Sequence, residues 1–335
     1  MYSVDEYRII KGDPIINNSA LYLTTASRGC PFKCSYCVNS ILRDIYPGNS
    51  KFTRKRDPDN VVKEIEHALN TLPNIHKIRF EDEVFPWEES WLEGFHEAYK
   101  SRISLPFLCT YHPVMVNEQR ISILKAAGMG TMGLGIQSPS EKIRKQIFNR
   151  PESNEQLLKV INILHKYKIE VNFDLILDNP YETQIEKRVG LEFLLSLPKP
   201  FTLSVFPLKF LPKVKLTAKA LVDHIVSDTQ IEKGDGSFSF QYDWNEKKKR
   251  GDIFWNGLFV LASRSCIPRS LVHHFKQSSF IKKNPGIILS IMRVSKYPEF
   301  IIIGLRRFFH RQINLSALRS LLKLRVLKFI FSRLT

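Results

Sequence analysis

Three cysteines lie close together near the start of the chain, which contains only five in all. They are Cys30, Cys34 and Cys37, and they give the spacing Cys-x3-Cys-x2-Cys within the segment RGCPFKCSYC. Thiolates on one short loop can bind a metal ion or an iron–sulfur cluster, because the loop brings the sulfur atoms to a common centre. This loop is therefore the first place in the chain to look for chemistry.

Several interpretations of the three cysteines compete. A structural zinc site normally takes four ligands, but the loop has no histidine, and the other cysteines, Cys109 and Cys266, are distant in the sequence. A redox-active pair needs only Cys34 and Cys37 and leaves Cys30 without a role. Clustering of inert thiols by chance is a third alternative, which the low cysteine content disfavours.

A 4Fe–4S cluster with one open iron gives all three cysteines a role. Cubane clusters are held by cysteine thiolates, so three protein ligands leave the fourth iron free to bind a substrate or a cofactor. Arg28, Lys33 and the backbone amides of the loop would offset the negative charge of the cluster. The spacing favours this interpretation over zinc.

The composition is typical of a large globular protein from a reducing compartment. The chain has 335 residues, of which 43% are hydrophobic, enough for one large domain with an appendage or for two domains. So few cysteines argue against a secreted, disulfide-stapled fold. The polar N-terminus lacks the apolar core of a signal peptide, and no apolar run is long enough to span a bilayer. We therefore expect a cytoplasmic protein.

The charge of the chain suggests an anionic partner. The formal net charge is +17, which attracts nucleic acid, anionic lipid or an anionic substrate; a soluble protein with a basic surface is the alternative. No acidic residue follows Glu299, but the apolar residues of 315–334 do not form one clean helical face, which gives a membrane-surface helix only weak support. We expect peripheral association with an anionic membrane or an anionic substrate. Nucleic acid is disfavoured, since no stacking platform accompanies the bases.

Six predicted strands alternate with predicted helices over the first two thirds of the chain. The strands are expected at 20–27, 75–83, 105–112, 131–138, 169–177 and 201–210. The helices are expected at 57–72, 91–101, 118–128, 140–148, 154–167 and 186–197. Such alternation predicts a parallel sheet with crossover helices.

The predicted fold class is α/β, a partial (β/α)6 barrel of the TIM type with a mostly helical C-terminal extension. Chemistry in such barrels lies at the carboxyl ends of the strands, and the cysteine loop directly follows the first strand. We expect a linker-like segment at 1–19, the barrel at 20–215, and a basic extension at 216–335. Within the extension, 215–230 is predicted to be one helix, 232–252 a loop, and the chain from 253 helical.

The cysteine loop resembles the signature of the radical S-adenosylmethionine superfamily, including the aromatic Tyr36 before the last cysteine. Further segments resemble that family in the expected order. They are RFEDEVF at 79–85, GLGIQS at 133–138, IFNR at 147–150 and NFDLILDNPYET at 172–183. GLGIQS resembles the fourth strand of the subgroup that includes anaerobic coproporphyrinogen oxidases and methylthiotransferases. The resemblance covers about residues 18–220.

The resemblance implies a 4Fe–4S cluster on Cys30, Cys34 and Cys37, and S-adenosylmethionine on its open iron. Cleavage of the cofactor would give a 5′-deoxyadenosyl radical that abstracts hydrogen from a substrate. The resemblance also implies the other contacts to the cofactor. The adenine would lie against Tyr36, the ribose hydroxyls would bind Asp174, and the carboxylate would pair with Arg150. The methionine amino group would lie near Glu81, Asp82 and Glu83, and the fourth strand would contribute Gln137 and Ser138.

Two segments depart from the family pattern. The fifth strand usually continues Gly-x-Pro, whereas this chain has Asp178-Asn179-Pro180. The last strand usually exits through Pro-Gly-Thr, and here the residues are Pro212-Lys213-Val214. Both departures fall in loops at the barrel mouth, so substrate contacts cannot be transferred from relatives.

The segments FEDEVF, GIQS, FNR and NPYET most resemble those of the cobalamin-binding branch. Members of that branch usually carry an N-terminal cobalamin domain, and this chain begins with a segment that looks like the linker after it. The chain has no Asp-x-His-x-x-Gly motif to ligate cobalt. A fragment or truncated paralogue, a separate cobalamin-domain chain and a reaction without cobalamin all stay open.

Three functions follow as alternatives. The first is a radical enzyme acting on a small molecule, a lipid or a secondary-metabolite precursor, by methylation or by ring or skeleton modification. The second is an RNA-modifying radical enzyme, and the third is a non-catalytic relative. The enzyme alternatives require an electron donor such as flavodoxin or ferredoxin.

Overall fold

The computed structural model describes residues 2–4, 9–11, 20–46, 52–72, 74–233, 242–244 and 249–309. Most of the predicted linker at 1–19 and the basic segment at 310–335 lie outside the described residues. At the N-terminus, β1 (Tyr2–Val4) and β2 (Ile9–Lys11) pair as an antiparallel ribbon.

Six parallel strands form the central sheet, as predicted. The later strands are β3 (Leu21–Thr24), β4 (Ser27–Arg28), β5 (Arg54–Lys55), β6 (Lys77–Phe80), β7 (Phe107–Tyr111), β8 (Met129–Gln137), β9 (Glu170–Leu177) and β10 (Thr202–Pro207). The spatial order is β3-β6-β7-β8-β9-β10, and each neighbouring pair is parallel. Because β3 and β10 are the two edges of this sheet, the curled sheet is an open half-barrel.

Helices follow the strands and cover the outer face of the sheet. They are α1 (Val38–Ile45), α2 (Pro58–Thr71), α3 (Glu89–Arg102), α4 (Glu118–Ala127), α5 (Asn154–Lys166), α6 (Gln184–Ser196), α7 (Lys215–Val222), α8 (Asp228–Lys233), α9 (Arg250–Ser263), α10 (Arg269–Gln277), α11 (Ser279–Lys283) and α12 (Gly286–Phe309). Their starts follow local chemistry: the Asp57 side chain caps α2, and Ser153 and Thr183 form capping boxes at α5 and α6. Such caps satisfy backbone amides that have no partner within the helix.

The core lies between the sheet and these helices. Along β9 the odd-numbered residues are buried, and the even-numbered residues, Asn172 and Asp174 among them, are less so. Aromatic rings fill the space under β6 and β7, where Phe80 meets Phe95 and Phe107 edge to face at 5.7 Å. This alternation leaves polar side chains on the concave face, where a substrate and a cofactor can be held.

Three local predictions differ from the structure, and one feature was not predicted. The segment 140–148 is mainly a π-helix at Ile143–Ile147. The helix predicted at 215–230 is wrong, because α7 ends at Val222 and α8 starts at Asp228, with His224 at φ 54° in between. The loop predicted to reach residue 252 ends earlier, since α9 begins at Arg250. The ribbon of β4 and β5 was not predicted, because two-residue strands carry no periodic signal.

The helices from α9 onward pack on the barrel. Residues Phe254–Ser263 of α9 are buried throughout, and α12 crosses it closely at Gly257, where a Cβ atom would lie 2.5 Å from Ile288 Cγ2. Arg307 at the end of α12 pairs with Glu170 of β9 at 2.8 Å. Among the described helices, none is both long and apolar enough to cross a bilayer.

Candidate active site

The cysteine loop lies at the carboxyl end of β3, as the barrel prediction requires. All three thiols are free; Cys34 is buried, while Cys30 and Cys37 are partly exposed. Cys37 closes a turn by donating its backbone amide to the Cys34 carbonyl at 3.2 Å. It is also the residue that precedes α1, so the loop ends at a helix start.

The segment that follows the π-helix holds this loop from one side. Ser35 donates its amide to the Phe148 carbonyl at 3.0 Å, and Asn149 Nδ2 donates to the Lys33 carbonyl at 2.8 Å. From the other side, the Leu216 amide donates to the Ser35 carbonyl at 2.8 Å. These bonds join residues more than a hundred positions apart, so the fold itself fixes the loop.

Burial and nearby acidic groups keep the Cys30 and Cys37 thiols protonated in the protein alone. Burial raises the pKa of Cys30 to about 11, with further increases from Cys34, Cys37 and Glu83. Burial likewise raises the pKa of Cys37. A bound cationic iron centre would reverse this preference, because coordination deprotonates a thiol outright.

The arginine of the IFNR segment lies directly behind the cysteine loop. Arg150 is 4% exposed, and its Nη1 lies 3.5 Å from Cys34 Sγ and 3.1 Å from Tyr36 Oη. The rest of its guanidinium donates to Glu152 Oε1 at 2.6 Å and to the Gly135 carbonyl. Arg150 thus places a positive charge beside a cysteine and the tyrosine predicted to contact adenine.

Glu152 is a site residue that the sequence analysis missed. It is fully buried, and within the described residues its Oε2 has no hydrogen-bond partner; His112 Nε2 lies 3.7 Å from this oxygen. His112 follows β7 and stacks on Phe32 of the cysteine loop, with ring centroids 3.6 Å apart. Burial and the nearby Arg150 lower the pKa of His112 to about 2, so its ring is neutral. The only sequence signal was an acid two positions after the arginine.

Three of the predicted cofactor residues line one cavity on the concave face. Tyr36, Gln137 and Asp174 surround about 210 Å³ together with residues of β10 and its exit. The lining there is mostly apolar and includes Ile176, Phe206, Pro207, Leu208, Lys209 and Leu211. Gln137 takes φ 65° at an irregularity in the β8–β9 register, which sets the end of β8 apart from the regular strand.

Asp174 belongs to a small hydrogen-bonded group of side chains on β9 and β10. Asn172 Nδ2 donates to Asp174 Oδ1 at 3.1 Å and lies 3.0 Å from Ser204 Oγ. Burial raises the pKa of Asp174 to about 6. The carboxylate is therefore ionised at neutral pH and retains acceptor capacity toward the cavity.

The three acids after β6 separate into different environments. Asp82 is buried and accepts hydrogen bonds from the backbone amide of Ala26 at 3.0 Å and from Ser27 Oγ at 2.6 Å. Burial raises the pKa of Asp82 to about 6. Glu81 is exposed and pairs with Arg79, and Glu83 accepts from the Gly29 amide at 3.3 Å. Asp82 thus anchors the chain that leads into the cysteine loop.

Ser138 does not line the cavity with Gln137. It is buried, and its hydroxyl donates to Glu182 Oε1 at 3.0 Å. Its carbonyl accepts from the buried Arg144 at 2.8 Å. Burial raises the pKa of Glu182 to about 7, so this carboxyl group is half-protonated near neutral pH.

Glu182 makes the stability of the protein depend on pH. Its folded-state pKa of about 7 lies above the ordinary 4.5, so its contribution to stability is complete below pH 4.5 and is lost as the pH rises to 7. At pH 8 we expect the free energy of unfolding of Glu182→Gln to exceed that of the unchanged protein by up to about 3 kcal/mol. At pH 5 this difference should disappear. Urea unfolding at both pH values measures the difference. The control is Glu155→Gln, at an exposed position on α5. An equal gain in stability in the control, or no gain in Glu182→Gln, would contradict the raised pKa of Glu182.

The two departures from the family pattern share a backbone conformation. Asp178 has φ 59° and Lys213 has φ 64°, the left-handed region that favours glycine. At Asp178 the conformation is supported by side chains, because its Oδ1 accepts from Tyr242 Oη at 2.7 Å and Asn256 Nδ2 at 2.8 Å. Asn256 lies on α9, so the C-terminal extension contacts the barrel mouth through this residue.

Residues 24–189 match the family model of the Radical SAM superfamily. This chain belongs to the radical SAM superfamily. The match spans the cysteine loop and all the strands from β6 to β9, and it extends into α6. A comparison with curated protein sequences finds no match.

Solved structures of radical SAM enzymes share the fold. The methyltransferase TsrM from Kitasatospora setae, with cobalamin and a 4Fe–4S cluster bound, aligns over 84% of this chain and 62% of its own, at 14% identity and a TM-score of 0.52. TsrM with tryptophan substrate and an S-adenosylmethionine analogue aligns over 66% and 44%, at 17% identity and 0.52. The cobalamin-dependent enzyme OxsB aligns over 92% and 54%, at 14% and 0.52. The alignments thus span 44 to 62% of those longer chains.

Membership of the radical SAM superfamily implies a 4Fe–4S cluster and S-adenosylmethionine. The donor set fits the cluster, since three free thiols share one loop and Arg150 offers a positive charge beside Cys34. Within the described segments, no three histidine, cysteine or acidic side chains converge as the ligands of a single metal ion would. Thiolates on a cubane bind different irons and stand farther apart, so this finding does not conflict with a cluster.

Proposed function

We propose that this protein is a radical SAM enzyme in which Cys30, Cys34 and Cys37 hold a 4Fe–4S cluster. The observation that carries the proposal is that Arg150 contacts both Cys34 of the cysteine loop and Tyr36, which lines a cavity with Gln137 and Asp174. When bound, the cluster supplies the electron that cleaves S-adenosylmethionine to methionine and a 5′-deoxyadenosyl radical.

The residues of this chain bind and orient the cofactor in the proposal. Tyr36 offers a ring face for adenine, and Asp174 accepts hydrogen bonds from the ribose hydroxyls. Arg150 is assigned to the cofactor carboxylate because its fork is bidentate, and it must then exchange a contact to Tyr36 or Gly135 for that carboxylate. Glu81, Asp82 and Glu83 lie on the side assigned to the methionine amino group; Asp82 acts there through the backbone it anchors.

The proposed substrate is a small molecule, a lipid or a secondary-metabolite precursor, and the proposed outcome is methylation or ring or skeleton modification. The open edge between β3 and β10 supports access for such a substrate, because a half-barrel leaves one side of the concave face uncovered. The reducing electron would come from a partner such as flavodoxin or ferredoxin. Cobalamin dependence is not part of the proposal.

The deciding experiment is anaerobic reconstitution with iron and sulfide, followed by reduction and electron paramagnetic resonance with and without S-adenosylmethionine. We expect the signal of a reduced 4Fe–4S cluster that shifts when the cofactor is added. Formation of 5′-deoxyadenosine in the same samples would support cleavage. Failure to assemble a cluster, or a cluster whose signal ignores the cofactor, would overturn the proposed function.

Asp174→Asn tests the ribose assignment. We expect the variant to assemble the full cluster, since the hydrogen bonds of Asp174 within the described residues go to Asn172 and Ser204 and not to a cysteine. We expect it to bind S-adenosylmethionine about tenfold more weakly, because an amide accepts hydrogen bonds from two hydroxyls less well than a carboxylate. Equilibrium binding to the reconstituted protein measures the change. Asp228→Asn at the exposed start of α8 is the control. Unchanged affinity in Asp174→Asn would remove Asp174 from the cofactor site.

A further inference from the structure

Two arginines face each other across the short ribbon that leads into the cysteine loop. β4 and β5 are antiparallel, and Arg28 pairs directly with Arg54 in their register. Residues paired in this way project from the same face of the ribbon, with Cβ atoms about 5 Å apart, and like charges there are destabilising. The structure thus brings together two cations that repel each other.

The same two arginines line two neighbouring cavities. One has a volume of about 560 Å³ and is also lined by Leu23, Lys55 and Arg56 beside the edge of β3. The other measures about 420 Å³ and is lined by residues of α1 and the cysteine loop. Arg28 and Arg54 therefore form a shared wall next to the open side of the half-barrel.

Acidic side chains in the larger cavity are already paired with other cations. Glu64 binds Arg56 at 2.6 Å, and Glu81 pairs with Arg79. Lys55, which also lines the larger cavity, pairs with Glu88 at 2.7 Å. Among the described residues, the cations of the larger cavity without such a partner are Arg28 and Arg54. The cavity beside them is large enough for a ligand group.

One carboxylate in the smaller cavity lies near the two arginines. Glu83 lines that cavity and accepts from the Gly29 amide at 3.3 Å. Within the described part of the chain, no ion pair within 4.0 Å joins Glu83, or any other acid, to Arg28 or Arg54. Even with Glu83 counted, the local charge remains positive.

The position of the pair is fixed relative to the cysteines. Gly29 follows Arg28 and has φ +87°. A Cβ atom at this position would lie 2.2 Å from the Phe52 carbonyl oxygen, so the backbone before β5 packs closely against the start of the cysteine loop. Asp82 binds the amide of Ala26 on the other side of the ribbon. A group held by both arginines is therefore held at a constant distance from the proposed cluster.

We propose that Arg28 and Arg54 bind a phosphate group of the substrate. Two guanidinium forks match the charge and the oxygen geometry of a phosphate monoester, which carries nearly two negative charges at neutral pH. S-adenosylmethionine has no phosphate, so the group belongs to another ligand; that this ligand is the substrate rests on the proposed function.

Titration calorimetry of the full-length reconstituted protein with inorganic phosphate, at constant ionic strength, tests the site. We expect saturable binding that Arg54→Gln weakens at least tenfold, about 1.4 kcal/mol, and that the double substitution Arg28→Gln, Arg54→Gln abolishes. Arg54→Gln is the deciding variant, since Arg28 also has an expected part in offsetting the cluster charge. Arg188→Gln is the matched control, an exposed arginine on α6 that lines neither cavity.

Several results would overturn the phosphate site. They are absence of saturable phosphate binding, equal loss in Arg188→Gln and Arg54→Gln, or tighter binding of malonate than of phosphate. The first would show that no site exists, the second that only net charge matters, and the third that the ligand is a dicarboxylate. The titration does not depend on cofactor cleavage, so loss of the cluster with intact phosphate binding would instead count against the proposed function.

Discussion

Replacing Cys30, Cys34 or Cys37 by alanine, one at a time, is expected to abolish the 4Fe–4S cluster and all cleavage of S-adenosylmethionine. A cubane with only three protein ligands has no spare thiolate, because the fourth iron is kept for the cofactor. The loop contains no histidine or further cysteine to replace a lost ligand. Each single variant should therefore lose the entire function, which is the largest effect expected of any substitution outside the core.

Iron and sulfide analysis of anaerobically reconstituted protein measures this prediction, and 5′-deoxyadenosine formation measures its consequence. Cys109→Ala is the matched control: Cys109 is fully buried on β7, beside Met129 Sδ at 3.5 Å, and is expected to keep the cluster while losing some stability. If Cys30→Ala retained a complete cluster, the ligand assignment would be wrong. If Cys109→Ala lost its cluster although still folded, a fourth protein ligand would have to be considered.

The strands and their order could be predicted because their signals are local. Runs of apolar residues between helix caps fixed the six strands, and the rule that parallel strands need crossover helices fixed their relation. The cysteine loop could be placed at the carboxyl end of the first strand in the same way, whereas Gln137 and Asp174 were assigned from the resemblance to the family. What periodicity could not supply was anything set by contacts between distant segments.

The missed features all depend on such contacts. Glu152 becomes part of the site only because the turn after the π-helix folds under the cysteine loop, and Arg54 only because a two-residue strand pairs with Arg28. The residues in place of the family glycines illustrate the same limit. Asp178 adopts a positive φ, and a sequence does not reveal that Tyr242 and Asn256 bind its carboxylate.

The predicted domain boundaries illustrate a further limit. Helix content after residue 215 was predicted from composition, but its contact with the barrel was not, because the surface that α9 covers is defined by the folded barrel. Lys187 on α6 is 3% exposed and pairs with Asp252 of α9. A partly buried pair of this kind gives no sign in the sequence of either helix.

Arg150→Met is expected to be the most destabilising single substitution in the site. Arg150 and Glu152 are 4% and 0% exposed, and removal of the cation leaves Glu152 as a buried carboxylate whose remaining neighbour, His112, is neutral. Breaking one partner of a buried ion pair costs about 3–5 kcal/mol, a large fraction of the 5–15 kcal/mol that stabilises a typical domain. Urea unfolding at pH 7 measures the loss in the free energy of unfolding.

The double variant Arg150→Met, Glu152→Gln distinguishes the buried charge from the lost packing. Removing both charges eliminates the unpaired carboxylate, so we expect the double variant to regain more than half of the stability lost in Arg150→Met. Lys142→Met is the control, because its pair with Glu186 has a solvent-exposed lysine and is worth less than about 1 kcal/mol. A double variant no more stable than Arg150→Met would mean that Arg150 acts mainly through Tyr36, the Gly135 carbonyl and Cys34. Its charge would then serve the cysteine loop, whereas recovery would show that Glu152 is what makes the arginine indispensable to the fold.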